Sequence, residues 1–163
     1  MSYNAGLPVK FYGVSHVTAS LSDGRHPQLG METFDSDGNK YVWMYNDCDS
    51  TLPPGIGLVL QSGVSTAFSM TLTATTNANI AVGVVKHASI PTNNYGFVLT
   101  RGIGIAEMIT SSGTVAANQP IALAANGEWD KVSNTTGNLV PAVGVALAAI
   151  ISGASGSAFF NIY

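Results

Sequence analysis

A chain of 163 residues with a net charge of −3 and only 9% charged side chains is sized for one domain, able to remove about two-thirds of its unfolded surface from water. Average soluble domains carry about 25% charged residues, so Ser, Thr, Asn and Gly stand here in place of Lys and Glu. An apolar fraction of 46% excludes charge-driven disorder, and six basic residues scattered singly leave no footprint for nucleic acid.

Residues 1–27 hold aromatics and aliphatics without a settled period and end in a Gly/Pro-containing stretch. They read as an N-terminal arm packed on the body or on a neighbouring subunit, or else as an edge strand leading into it. The opening MSYNAGLPVKF has no positive n-region followed by an apolar run, so no signal peptide is expected. Residues 28–163 read as a single β-rich body. Helical periodicity is almost absent, and short apolar runs are broken every 8 to 12 residues by Gly, Pro, Asn or Asp, the spacing of a sandwich or barrel. Strands are predicted over 29–34, 39–45, 57–61, 67–74, 80–86, 96–100, 104–109, 120–124, 128–133, 140–151 and 157–162. The fold class is therefore all-β, a compact small barrel or sandwich with an extended arm. "NQPIALAAN" could hold at most a helical turn.

The most apolar segment, residues 139–151, is 13 residues long and contains Pro141 and Gly144. A bilayer span needs about 20, so this reads as buried strand and no membrane partner is expected. Residues 80–85 (IAVGVV) and 141–146 (PAVGVA) resemble each other, which suggests two strands curving at equivalent places in one sheet or barrel. Eight of the fifteen charges fall within residues 23–49, while 51–85 and 132–163 carry none. Such stretches fit surfaces that end against a partner, or a surface covered by Thr, Ser and Asn. One cysteine rules out an internal disulfide and leaves a reducing cytosol as the default compartment.

The acidic "DSDGN" at 35–39 invites a calcium reading. An EF-hand loop needs glycine at its sixth position and a bidentate Glu at its twelfth; counted from Asp35, glycine arrives fourth and the twelfth residue is Asn46. A weak cation site, with Asp47 and Asp49 reaching back, stays open. The turn reading fits better, because Asp37-Gly38 supplies the positive φ of a tight hairpin. The following strand puts Tyr41, Trp43 and Tyr45 on one face and Val42 and Met44 on the other, so both faces require cover. His16, His26 and His87 lack zinc spacing with Cys48, and Asp47 and Asp49 oppose a Cys48 thiolate. "GIG" at 55–57 and 102–104 is not a dinucleotide fingerprint, and "GASGS" is a turn, not a nucleophile elbow. No acid, base and nucleophile set emerges, so neither an enzyme nor a cofactor is expected.

The order of several loose segments resembles the capsid decoration (cement) proteins of tailed bacteriophages. These are Leu29-Gly30 with DGNKYVW at 37–43, NIAVGV at 79–84 with YGFVLTRG at 95–102, and VAANQPIALAANG at 115–127 with AVGVAL at 142–147. The resemblance covers roughly residues 28–163 and implies a compact β-tulip-like fold. It also implies a virion protein, made in the host cytoplasm, that sits as a homotrimer or other oligomer outside the expanded head. There it would cement neighbouring major capsid subunits. Tyr3, Leu7, Phe11 and Tyr12 are the arm residues expected to contact the capsid or a neighbouring subunit, as aromatic and large aliphatic anchors. The competing reading is a head-fibre or tail-tip carbohydrate- or receptor-binding module, with Tyr41, Trp43 or Trp129 as stacking platforms.

Overall fold

The computed structural model describes residues 12–21, 26–60, 68–72, 81–108, 113–132 and 142–162. Eleven strands occur among them: β1 (Val17–Thr18), β2 (Glu32–Phe34), β3 (Lys40–Asn46), β4 (Gly57–Leu60), β5 (Ser69–Thr71), β6 (Ala81–Val84), β7 (Tyr95–Glu107), β8 (Pro120–Leu123), β9 (Trp129–Lys131), β10 (Gly144–Ala146) and β11 (Ser155–Asn161). The one helical element among the described residues is a 3-10 turn at Ala125–Gly127, directly after the strand into which the alanine run was read. The fold is all-β.

Two rings share one long strand. In the first, β3 pairs β5, β5 pairs β4, β4 pairs β6, β6 pairs β7 and β7 returns to β3, giving a closed five-strand barrel. Closure leaves no free edge within the ring. The second ring runs from the C-terminal half of β7 through β11, β10, β8 and β9. A parallel bridge between Trp129 and Met108 carries that path back to the end of β7. The described parts of the two similar segments therefore lie in different rings of one continuous sheet: β6 (Ala81–Val84) in the first and β10 (Gly144–Ala146) in the second.

The shared strand was predicted as two, 96–100 and 104–109, because glycines interrupt it. It is instead a single element of 13 residues. Gly102 sits at φ +127, a conformation open to glycine, and lets β7 bend from one ring into the other without ending. A side chain at that position would collide with Asn39. Phe97 to Thr100 are buried on both faces, whereas from Arg101 onward outward residues alternate with buried ones.

Both faces of β3 are covered, as its sequence requires. Val42 and Met44 join Leu58, Met70, Val85 and Val98 in the core of the first ring. Tyr41 and Trp43, on the opposite face, join Phe97 and Leu99 in a second core that runs on to Trp129 and Phe160. Residues 12–21 lie on the body: Tyr12, Val14 and Leu21 pack against this second core, and β1 pairs β7 at Val17–Gly96 and Thr18–Tyr95.

Candidate functional site

The β2–β3 hairpin gathers a polar group of side chains around the turn that "DSDGN" encodes. Glycine at Gly38 adopts φ +79, and its N–H donates to the Asp35 carbonyl at 3.1 Å. Asp35 caps the turn with its side chain. Oδ1 accepts from the backbone N–H groups of Asp37 (3.0 Å) and Asn39 (2.9 Å). Oδ2 accepts from Asn39 Nδ2 and from the Tyr41 hydroxyl, both at 2.8 Å. Lys86 Nζ stands 3.7 Å from the same oxygen. With its lone pairs so engaged, Asp35 is a turn clamp and has no free face for a cation. Among the described residues no group of three or more His, Cys, Asp or Glu side chains is placed to hold a metal ion.

The clamp extends to two further elements. The Tyr41 hydroxyl lies 2.9 Å from His87 Nε2. Its one proton is committed to the Asp35 carboxylate, the stronger acceptor, so neutral His87 donates Nε2–H to the phenol oxygen. Asn39 Oδ1 accepts from the Ile103 N–H at 2.9 Å. The turn is thereby tied both to the segment after β6 and to the bend of β7.

These contacts set the electrostatics. Burial works to raise the Asp35 carboxyl, but the hydrogen bonds from Asn39, Tyr41 and the turn backbone outweigh it and hold it well below the usual carboxylate range. Tyr41 is pushed far up by burial, by its hydrogen bond to Asp35 and by the Asp35 and Asp37 charges. Burial, with the nearby Lys86 charge, lowers His87, so the imidazole is neutral at pH 7. The group therefore holds Asp35 charged and Tyr41 protonated, which suits positioning better than proton transfer.

Beside it lies a cleft of about 390 Å³ lined by Asp37, Asn39, Lys86, His87, Ile103, Gly104, Ile105 and Ser157, within the size range of ligand sites. One wall is polar and comes from the hairpin turn and the segment after β6. The other is the outward side of β7 and β11, where Ile103 and Ile105 are 51% and 41% exposed. Sequence reasoning missed this site. Asp37 and His87 lie fifty residues apart in the chain, and only the ring closure brings them to one cleft.

The residues singled out from sequence fall elsewhere. Tyr3, Leu7 and Phe11 lie outside the described residues. Tyr12, partly buried, stacks on His16 at 4.0 Å and on His26 at 5.0 Å. Tyr41, Trp43 and Trp129 are all 0% exposed, which corrects their reading as stacking platforms: both faces of β3 are core, and no ring surface is left for a sugar. Trp43 meets Phe97 edge-on at 4.7 Å. Trp129 packs on Phe160 at 4.9 Å and donates its indole N–H to the Gly55 carbonyl at 2.9 Å. His16 and His26, ten residues apart, come within 3.3 Å of each other. Cys48 also differs from expectation. Burial raises its thiol, but hydrogen bonds from Ser50, Leu72 and Thr71 outweigh that and lower it overall, whatever Asp47 and Asp49 contribute.

No family model matches the chain, and no curated protein does. A solved structure similar in fold is the N base of the head fibre gp8.5 of bacteriophage phi29. It has a TM-score of 0.53 and 10% sequence identity, over 74% of this chain and 94% of that one. At that identity the likeness is one of fold.

Proposed function

We propose that this chain is a structural protein of a bacteriophage virion, seated on the outer surface of the expanded head. There it binds the major capsid protein and cements neighbouring capsid subunits, as a homotrimer or other homo-oligomer. The observation that carries this reading is the fold shared with the phi29 head-fibre base across almost all of that chain. The segment order that resembles cement proteins points the same way. A stiff double ring with little charge suits such a role, because contacts built on shape and apolar burial are less sensitive to salt than charge pairs. The reading assigns the chain no catalysis: the polar cluster holds its acid charged and its phenol protonated, and contains no activated nucleophile.

A second reading has its own support. The neighbour is described as the base of a head fibre, so the double ring could be a foot that carries a fibre rather than a lock between capsid subunits. Counting copies in purified particles of the parent phage separates the two. Hundreds per particle, with heads that lose heat or salt resistance when the gene is deleted, support cementing. Several tens, with unchanged head stability and a missing projection by electron microscopy, support a fibre base. Absence from purified particles overturns both.

A further inference from the structure

The register of the second ring lines up apolar side chains on its outer face. Pro120 pairs Val145, Val145 pairs Phe159, and Phe159 pairs Ile103. Directly opposed residues point to one side of a sheet, and strands lie about 4.8 Å apart, so this row crosses four strands over about 14 Å. It faces outward, since the alternate residues Ile121, Ala146, Ala158 and Phe160 are core, while Ile103 is 51% and Phe159 38% exposed. A second row follows: the Leu147 N–H donates to the Ser157 carbonyl, Ser157 pairs Ile105, and Leu147 and Ile105 are both exposed. Neither row holds a charge; Asn161 and Arg101, paired in the next row, bound the stripe. The outer face of an antiparallel sheet is ordinarily polar, and contiguous apolar surface on it marks an interaction site.

Both rows end on β7 at the cleft, which Ile103, Ile105 and Ser157 also line. Across it the Lys86 charge is answered by Asp35 at 3.7 Å. Asp37 is exposed and, among the described residues, has no ion pair. The cleft thus offers an apolar wall and one uncompensated carboxylate. That combination matches the aliphatic stem and cationic head of a lysine or arginine.

We propose that this stripe and cleft are the docking surface for an extended, apolar segment of the major capsid protein, anchored by one basic side chain placed against Asp37. The inference rests on the reading of the chain as a head-surface protein and names the face that makes the contact. A second copy of the chain suits the surface less well. Two rows of side chains fall far short of the roughly 800 Å² each partner gives a stable interface, and the copy would bring another body of net charge −3. A laid-in segment needs only this stripe, with affinity multiplied across the several copies on a shell.

The test uses the full chain and heads of the parent phage assembled without it, with binding followed by co-sedimentation. Ile103→Ser combined with Phe159→Ser should weaken binding by about tenfold or more. Asp37→Asn should weaken it severalfold and flatten its salt dependence. Met31→Ser, equally exposed but just before β2, on an element outside the second ring, should bind as wild type. If the double variant loses the wild-type urea midpoint, Ile105→Ser with Leu147→Ser carries the same expectation from the second row. Wild-type protein that binds heads while both row variants bind equally well overturns this inference and leaves the virion role standing. Wild-type protein that never binds heads overturns the role as well. Free protein that sediments as an oligomer in wild type and as a monomer in the row variants makes the stripe a copy–copy interface, which also overturns the inference.

Discussion

The Tyr41 hydroxyl donates a 2.8 Å hydrogen bond to Asp35 Oδ2, joining the first residue of the turn to the buried strand that leaves it. The ring is 0% exposed, so the phenol has no water to fall back on. Tyr41→Phe removes the donor to Asp35 and the acceptor for His87 together. The expected cost is about 1–3 kcal/mol, read from urea unfolding. A cost indistinguishable from zero would mean that solvent replaces both bonds.

The same cluster sets an acid limit to stability. The folded-state pKa of Asp35 lies below its ordinary value of 3.8, so its contribution is present above about pH 4 and is lost as pH falls below that value. His87 is also lowered, from 6.5. Above that pH both folded and unfolded chains hold it neutral, and below it the unfolded chain takes up the proton first. Stability should therefore decline in two stages on acidification, one beginning near pH 6.5 and one below pH 4. His87→Gln should flatten the first and Asp35→Asn the second, measured as urea midpoints across pH.

Where the two rings meet, Gly57 of β4 lies against Trp129 and Leu123, and a methyl group there would overlap both. Gly57→Ala should cost about 1–3 kcal/mol through overpacking. Trp129→Phe should cost about 1 kcal/mol or more, through the smaller ring and the lost indole hydrogen bond to the Gly55 carbonyl, which keeps its bond from the Glu107 N–H. Both are read as shifts of the thermal midpoint.

Met70 is fully buried in β5, the three-residue strand that closes the first ring. Met70→Ala should destabilise the chain by about 2–5 kcal/mol. Hydrogen exchange should quicken first in β4 and β5, because they share the core left empty.

Both tryptophans are core residues, so native emission should be blue-shifted and should not respond to added oligosaccharides. A saturable change in emission with a saccharide would restore the stacking reading.

The hairpin was legible because its determinants are local. Asp37-Gly38 specifies a turn through the φ that glycine alone reaches easily, and KYVWMYN shows that both faces must be covered through the period-two alternation of a strand. The bounds of β7 were misread because glycine weakens a strand in isolation but serves as a bend when partners hold both sides, as Asn39 and β11 hold Gly102 and its neighbours. The aromatic residues were visible, yet their burial was not, because exposure depends on what packs above them.

By itself, then, the sequence determined the all-β class, the turns, and a strand with two apolar faces, all of which follow from dihedral preference and the alternation of neighbouring residues. Tertiary structure decided that the strands close into two rings on one shared strand. It also decided that Asp35, Tyr41 and His87 form one cluster, and that Pro120, Val145, Phe159 and Ile103 form one outward row. Those relationships depend on cross-strand register between distant segments, and a shift of one residue would turn the row inward.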